Sequence, residues 1–204
     1  MSPVRSRPSA PVPSDGLAPF RVTVSGLRTV QRSRFGRPGH VVSILDPGNQ
    51  TPGPLRRGNG GRVTRMAFHD AVRPTRGKRL PSAAHVRRLV RLGQRLAVAG
   101  CRHVHVHCYQ GVSRSTAAAL IVMAAGSGGG SADGLLEELD RIRPKNWPNS
   151  RMVALADRQM GYRGRLTAAL RAHQRRKAHR DPTLARLIRS HSFGHRRHEV
   201  PEGV

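Results

Sequence analysis

The stretch VHVHCYQGVSRSTAAALIV, residues 104–122, contains three successive local patterns. Apolar and polar residues alternate up to Cys108, which is typical of a β-strand. A polar loop containing Gly111 follows, and after Arg114 the residues are almost all small or apolar. A run that is apolar on every side indicates a buried helix. The stretch therefore predicts a strand, a short loop and a helix in direct succession.

The predicted loop has the chemistry of an anion site. Ligands of open α/β sheets bind beyond the carboxyl ends of the strands, and the start of a helix offers free N–H groups and the positive end of its dipole. Gly111 allows the backbone to curl, and the guanidinium of Arg114 can hold two phosphate oxygens at once. We therefore expect the loop to bind a tetrahedral dianion.

Cys108 stands at the rim of this predicted anion site. A thiol near a helix N-terminus, an arginine and several N–H donors ionises more readily than a free thiol. A thiolate facing the phosphorus of a bound phosphate ester suits nucleophilic catalysis through a cysteinyl-phosphate. The spacing between Cys108 and Arg114 leaves five residues to surround one phosphate group.

HCYQGVSRS, residues 107–115, resembles the signature loop of the cysteine-dependent protein tyrosine phosphatases, and most closely that of the dual-specificity branch. A looser resemblance extends over residues 20–165 and includes the segments SILDP, FHD and RPKNWPNSRMVALAD. The positions that match the signature are His107, Cys108, Gly111, Ser113, Arg114 and Ser115.

The resemblance implies a role for each matching position. Cys108 would be the nucleophile, Arg114 would clamp the phosphate, and Ser115 would stabilise the leaving thiolate. His107 would orient the loop and help to keep the cysteine ionised. The resemblance implies neither a cofactor nor a metal. The residues expected to surround the phosphate, largely through their backbone N–H groups, are Tyr109, Gln110, Gly111, Val112, Ser113 and Arg114.

Phosphatases of this type also need a general acid, and the family supplies an aspartate upstream of the cysteine. Three acidic residues precede Cys108 here, and Asp15 lies in a proline-rich segment unsuited to the role. The FHD triplet resembles the acid loop of the family, so we favour Asp70. Asp46 is the alternative acid; otherwise we expect it to form a turn or to contact the loop. Asn149 is a further candidate, for hydrogen bonding to the loop backbone.

The rest of the sequence predicts an α/β fold with a single, mostly parallel central sheet of four to five strands flanked by helices. Strands are expected at 20–27, 40–45, 62–70 and 103–107. Helices are expected at 81–100, 115–125, 132–142, 150–160 and 163–177. We predict a disordered N-terminal segment at 1–18, a phosphatase-like domain at 19–177 and a basic C-terminal tail at 178–204. This last segment is expected to be a free tail or a loosely docked helix.

Length and composition indicate the size of the protein and the cellular environment in which we expect it. It has 204 residues, about the size of one domain, and only two cysteines, Cys101 and Cys108. A strand between them would hold their sulfurs too far apart for a disulfide, which favours a reducing interior. No apolar run is long enough to span a membrane, and the first residues lack the apolar core of a signal peptide. We therefore expect a soluble cytoplasmic protein.

The formal net charge is +26, and all but three of the 37 basic residues are arginine. Such a charge attracts anions in general, including phosphorylated proteins, acidic lipids and nucleic acids. The basic residues of the predicted tail could dock on nucleic acid or an acidic partner, or they could be solvated. Composition leaves both alternatives open.

Two further patterns have competing interpretations. His103, His105 and His107 alternate along one strand, so they could bind zinc, although a structural role is favoured. Trp147 could face a substrate or anchor the rim or the core, and the second interpretation is favoured.

The sequence as a whole predicts a phosphomonoesterase, of the protein-tyrosine or dual-specificity phosphatase type, acting on phosphorylated proteins. The alternative is a catalytically weak phosphate-binding module. Tyr109, Gln110 and Val112 are uncharged, whereas phosphoinositide phosphatases of the superfamily that the loop resembles often carry lysines there, so a lipid substrate is disfavoured. A nucleotide or RNA 5′-phosphate stays open as a substrate.

Overall fold

The computed structural model describes residues 17–32, 38–50, 52–53, 62–190 and 196–202. Its sheet has four strands in the order β1-β4-β2-β3, and every neighbouring pair is parallel. The strands are β1 (Arg21–Gly26), β2 (His40–Leu45), β3 (Arg62–Ala67) and β4 (His103–Cys108). The predicted α/β fold with a parallel central sheet is confirmed.

The helices of the described residues follow the predicted pattern and extend beyond it. They are α1 (Leu27–Arg32), α2 (Ala83–Val98), α3 (Arg114–Gly126), α4 (Ala132–Ile142), α5 (Ser150–Gln159), α6 (Arg165–Arg180) and α7 (Pro182–Arg189). A 3₁₀ helix covers Arg197–Glu199. None of these helices is long and apolar enough to cross a membrane.

Helix α3 forms the centre of the main core. Its residues from Arg114 to Ala125 are all buried. It packs against α2, whose apolar face is buried at Val86, Leu89, Val90 and Leu92. An apolar helix with no polar face must be covered on all sides, and the sheet together with α2, α4 and α5 covers this one.

The strand register brings four segments of the protein to one edge of the sheet. Gly26 is paired with Cys108, and Leu45 is paired with Ala67, so the strands end level with their neighbours. Because all four strands are parallel, the residues that follow them emerge on the same side. The loop after Cys108 therefore lies beside the segments that carry Asp46 and Asp70.

The structure describes residues 178–190 and 196–202 of the segment at 178–204, for which the sequence predicts a basic tail or a loosely docked helix. Helix α6 continues to Arg180, Asp181 caps the next helix by accepting from the Leu184 N–H at 2.8 Å, and α7 follows. The apolar side chains of this region pack with Trp147 and the loop residue Val112 in a second cluster, formed by Val112, Trp147, Ala178, Leu184, Ala185, Ile188 and Val200. The described part of 178–204 is thus packed on the domain. The apolar face of an eight-residue helix is short, and the surrounding arginines obscure it in the sequence.

The predicted N-terminal segment at 1–18 lies mostly outside the described residues. Of its residues the structure describes Leu17 and Ala18, and Ala18 is buried in the main core together with Phe20. Ala18, the last residue of the segment predicted at 1–18, is thus packed against the core.

The histidines of β4 are held by hydroxyl groups of the neighbouring strand β1. Thr23 Oγ1 lies 2.8 Å from His103 Nε2 and 2.8 Å from His105 Nδ1, and Ser25 Oγ lies 3.1 Å from His105 Nε2. Among the residues that the structure describes, no group of three or more His, Cys, Asp or Glu side chains could hold a metal ion. These contacts favour the structural interpretation of His103 and His105.

Four buried histidines make stability depend on pH. Burial is the largest cause that lowers the pKa of His105 from 6.5 to about 3, and the pKa values of His40, His107 and His173 to about 4. These rings are neutral in the folded protein near neutral pH. In the unfolded state they take up protons as the pH falls below about 6.5. Protonation therefore favours the unfolded state.

We expect the free energy of unfolding to be unaffected by these groups above about pH 6.5 and to fall as the pH is lowered toward about 4. Each group contributes at most about 1.4 kcal/mol per pH unit. Urea unfolding at neutral pH and at about pH 5 measures the effect. His105→Gln, which removes one titrating group, should reduce the slope. A free energy of unfolding that is constant over this range would contradict the prediction.

Candidate functional site

The loop between β4 and α3 curls tightly, and Gly111 makes the curl possible. Its φ angle is +73°, a left-handed conformation that glycine adopts without strain. A Cβ at this position would lie 2.5 Å from the backbone nitrogen of Gly26 and 2.5 Å from the carbonyl carbon of Ser25. The loop therefore lies directly against the end of β1, where any side chain at position 111 would overlap the backbone.

Replacing Gly111 by alanine should destabilise the fold and deform the loop. We expect a loss of about 1–3 kcal/mol in the free energy of unfolding, from the left-handed backbone and the overlap with β1 together. Affinity for vanadate should fall as well. Gly77→Ala is the matched control, because Gly77 has a φ of +71° but nothing within 4 Å of the added Cβ. Equal losses of stability in the two variants would exclude the overlap as a cause.

The carbonyl groups of the loop all have hydrogen-bond donors. The carbonyls of Tyr109 to Ser113 accept, in order, from Leu27 N–H (2.8 Å), Arg143 Nη2 (3.4 Å), Arg143 Nε (2.9 Å), Trp147 N–H (2.8 Å) and Ala117 N–H (2.9 Å). In a planar trans peptide the next N–H points opposite to the carbonyl. The N–H groups of 110–114 therefore point away from these donors, and the Gly111 N–H donates to Cys108 Sγ at 3.2 Å.

Cys108 is the last residue of β4, and its side chain is at the floor of the loop. It is 2% exposed. Its sulfur accepts from Gly111 N–H and lies 3.1 Å from the hydroxyl oxygen of Ser115, which is itself fully buried. The sulfur is thus contacted by one backbone N–H of the loop and by one hydroxyl of the helix that follows it.

Arg114 begins α3, and its guanidinium is fixed by the ends of two strands. Its Nη1 donates to Asp46 Oδ1 at 2.5 Å, after β2, and to the carbonyl of Phe68 at 2.6 Å, after β3. The side chain is 4% exposed, and its Nε has no hydrogen-bond partner among the described residues. A buried charged N–H without a partner is costly, so this nitrogen is suited to an anionic ligand. Asp46 thus contacts Arg114 at the end of the loop. A contact with the loop is one of the alternatives considered for Asp46 from the sequence.

Asp70 is anchored through one carboxylate oxygen. Oδ1 accepts from Ser113 Oγ at 2.7 Å and from Asn149 Nδ2 at 2.8 Å, and it lies 3.6 Å from Nη1 of Arg196. Within the part of the protein that the structure describes, Oδ2 has no hydrogen-bond partner, and the side chain is 22% exposed. Oδ2 is therefore the carboxylate oxygen that is available to a ligand.

Asn149 connects the acid to the loop and to a helix. Its N–H donates to the carbonyl of Ser113 at 3.4 Å, as expected for a bond to the loop backbone. Its side chain donates to Asp70 and, through Oδ1, accepts from the Met152 N–H at 3.1 Å, which caps α5. The hydrogen bond to the Met152 N–H fixes the orientation of the Asn149 amide. The amide group that donates to Asp70 is therefore itself fixed in position.

His107 is fully buried beneath the loop, and neither ring nitrogen has a hydrogen-bond partner among the described residues. Burial lowers its pKa to about 4, and an interaction with the Cys108 backbone opposes this only partly. The ring is neutral near pH 7. The resemblance implies that His107 helps to keep the cysteine ionised. A positive charge on the His107 ring cannot be the means, because the ring is neutral.

The sequence missed three residues that support the site. Arg143, which binds two loop carbonyls, lies inside the RPKNWPN segment, so a signal was present. Arg196 and Glu199 lie far along the sequence among many other basic residues, and no local pattern marks them. Trp147 is fully buried and donates its indole N–H to Glu199 Oε2 at 2.9 Å, in agreement with the anchoring interpretation.

Comparison with known proteins identifies structural neighbours but no sequence family. No protein-family model and no curated protein matches the sequence. A mouse putative dual specificity phosphatase, solved with zinc tungstate, aligns with a TM-score of 0.53 and 17% identity over 82% of this chain and 98% of its own. Human DUSP28 aligns with a TM-score of 0.52 and 18% identity over 74% and 94% of the two chains.

A third neighbour is the human tyrosine phosphatase-like serine/threonine/tyrosine-interacting protein. It aligns with a TM-score of 0.52 and 14% identity over 70% of this chain and 92% of its own. At these identities the comparisons establish the fold. The predicted resemblance to the cysteine-dependent phosphatases, near their dual-specificity branch, is confirmed at that level.

Proposed function

On the basis of a fold shared with dual-specificity phosphatases, we propose that this protein is a metal-independent phosphomonoesterase that forms a cysteinyl-phosphate on Cys108. One observation carries the proposal. The sulfur accepts from the Gly111 N–H inside the loop that ends at Arg114, and Asp70 is hydrogen-bonded to Ser113 of the same loop. These are the nucleophile, the anion clamp and the proton donor that phosphate ester cleavage requires.

In the first step, the Cys108 thiolate attacks the phosphorus of the bound monoester. The S–P bond forms while the bond from phosphorus to the leaving oxygen breaks. Asp70 gives a proton from Oδ2 to that oxygen, so the product leaves as an alcohol or a phenol. The N–H groups of the loop and the Arg114 guanidinium stabilise the charge on the phosphoryl oxygens.

In the second step, the Asp70 carboxylate takes a proton from a water molecule whose oxygen attacks the phosphorus. The S–P bond breaks, and inorganic phosphate leaves. The hydroxyl of Ser115, 3.1 Å from the sulfur, donates a hydrogen bond to the departing thiolate. The enzyme returns to its starting state with Asp70 protonated.

Asp46 has a different task in this mechanism. It pairs with Nη1 of Arg114, which also donates to the Phe68 carbonyl. The pair fixes the plane of the guanidinium and leaves Nε for the phosphate. Asp46 is thereby committed to the clamp, which supports Asp70 as the general acid.

The substrates we propose are phosphorylated proteins, with phosphotyrosine and phosphoserine or phosphothreonine as possible targets. At the mouth of the loop Tyr109 is largely exposed and Gln110 is exposed, and both are uncharged. The uncharged side chains at these two positions offer no binding partner for the additional phosphates of an inositol lipid. An exposed aromatic ring can contact a phenyl leaving group.

The direct test is hydrolysis of 4-nitrophenyl phosphate by the full-length protein in the presence of EDTA. We expect turnover that is unaffected by the chelator and inhibited competitively by vanadate. Rapid acid quenching followed by mass spectrometry should reveal phosphate on the peptide that contains Cys108. Loss of turnover in EDTA, or phosphate on a different residue, would contradict the proposal.

The second candidate function is capture of a phosphorylated ligand with little or no turnover. Two observations favour it: the sulfur is almost completely buried, and one structural neighbour is described as a phosphatase-like interacting protein. This function predicts saturable binding of a phosphopeptide that is recovered intact. The complete set of nucleophile, clamp and acid favours the enzyme.

A further inference from the structure

A segment from the far end of the sequence reaches the site. We call residues 196–202 the C-terminal strap; it follows α7 and contains the 3₁₀ helix at Arg197–Glu199. The first residue of the strap, Arg196, is 0% exposed. A fully buried arginine is rare and requires several acceptors to offset the loss of hydration.

The acceptors of Arg196 belong to the site and to its supporting segment. Nη1 donates to the hydroxyl oxygen of Ser113 and lies 3.6 Å from Asp70 Oδ1. Nη2 donates to the carbonyl of Pro148 at 2.9 Å, and Nε donates to Glu199 Oε2 at 2.8 Å. One guanidinium thus joins the catalytic loop, the acid and the segment before Asn149.

The direction of the hydrogen bonds follows from the donors available. The hydroxyl of Ser113 has one hydrogen, which it donates to Asp70 Oδ1 at 2.7 Å. It must then accept from Arg196. The bonds run from Arg196 to Ser113 and on to Asp70, and Asn149 supplies the second donor to the same oxygen. Oδ1 is therefore occupied, and the free Oδ2 is held in one orientation.

Glu199 fixes the strap in place. Its carboxylate is 4% exposed and accepts from Arg196, from the indole N–H of Trp147 and from the hydroxyl of Ser150. Val200 packs in the same cluster as Trp147 and the loop residue Val112. The strap is thus attached by an internal ion pair and by apolar contacts, and the position of Arg196 does not depend on solvent-exposed interactions.

We propose that Arg196 is a positioning residue for the proton-donating carboxylate of Asp70. It acts through Ser113 to keep Oδ2 directed to the leaving group, and its charge stabilises the carboxylate that remains after the proton has left. The inference rests on the proposed phosphatase function, and it adds a residue from outside the segment that resembles the family. Arg196 makes no hydrogen bond or ion pair with Cys108, the proposed nucleophile, or with Arg114.

The test compares aryl phosphates whose leaving groups differ in basicity. Arg196→Met keeps much of the length and removes the charge. We expect kcat to fall about tenfold with 4-nitrophenyl phosphate and about a hundredfold with phenyl phosphate, because a poorer leaving group depends more on proton donation. Inhibition by vanadate should change less than about twofold, because the loop and Arg114 are retained. Arg197→Met, an exposed neighbour, is the matched control and should match the unmodified protein.

A double-mutant cycle separates positioning of the acid from general support of the fold. In an Asp70→Asn background, Arg196→Met should lower kcat by less than about twofold, because no proton remains to be positioned. The same factor in both backgrounds, or an equal loss with every leaving group, would overturn the inference. The inference would also be overturned if vanadate inhibited the Arg196→Met variant more weakly, in parallel with the loss of kcat.

Two additional variants keep the test decisive if Arg196→Met does not fold. Arg196→Lys retains a buried cation, and Ser113→Ala removes the connecting hydroxyl while leaving the strap intact. Ser113→Ala should show the same selective loss with poor leaving groups and the same lack of effect in the Asp70→Asn background. A uniform loss in Ser113→Ala would overturn the inference. Absence of turnover in the unmodified protein would instead overturn the proposed function.

Discussion

Replacing Cys108 by serine is expected to reduce aryl phosphate hydrolysis at least about 10³-fold, because a serine hydroxyl in the same place is not ionised near neutral pH. Serine is nearly the same size, so the contacts of Gly111 N–H and Ser115 Oγ with position 108 should be retained. Binding of inorganic phosphate should therefore survive while turnover is lost.

Cys101→Ser is the matched control for this experiment. Cys101 is the other cysteine of the protein, it is half-buried, and its sulfur contacts only the carbonyl of His103, at 3.5 Å, among the described hydrogen bonds. The control should keep the turnover of the unmodified protein. If Cys108→Ser kept full turnover, no mechanism based on a cysteinyl-phosphate could stand.

Replacing Asp70 by asparagine should lower kcat about 10²–10⁴-fold, which is the usual contribution of a general acid. Asparagine keeps an oxygen that can accept from Ser113 and Asn149, so the loop should keep its shape. It cannot donate a proton as an acid does. The basic limb of the kcat pH profile should therefore disappear, because the group that donates the proton has been removed.

Asp46→Asn discriminates between the two candidate acids. It should weaken the ion pair with Arg114 and raise KM, while the basic limb of the kcat pH profile persists. A profile unchanged in Asp70→Asn but flattened in Asp46→Asn would transfer the role to Asp46. The kcat profiles of both variants, measured with the same aryl phosphate, answer the question.

The sequence was most informative where function depends on neighbouring residues. Cys108, Gly111 and Arg114 are close together in the sequence, and strand alternation followed by an apolar run indicated the fold around them. In the structure the Cys108 sulfur accepts from the Gly111 N–H, and the Arg114 guanidinium pairs with Asp46. The curl of the loop, the arginine and the first turn of α3 are formed by residues that follow one another in the sequence. A short stretch of sequence is therefore enough to indicate them.

The hydrogen bonds that hold the carboxylate of Asp70 could not be predicted in the same way. Asp70 is held by Ser113 and Asn149, which are 43 and 79 residues away in the sequence. Arg196 is one arginine among many, and nothing near it in sequence distinguishes a buried guanidinium from a solvated one. Such contacts depend on how α7 and the strap fold back over the domain.

The distance in sequence between Ser113 and Arg196 has a consequence for synthesis of the protein. These residues are 83 positions apart, and the loop residue Val112 belongs to the same apolar cluster as Val200 of the strap. Under the proposed function, a ribosome that has released the loop but still holds the strap carries a nascent polypeptide in which Asp70, the proposed proton donor, lacks the support proposed for Arg196. Competence for turnover would then be acquired only after the strap has emerged from the exit tunnel and docked.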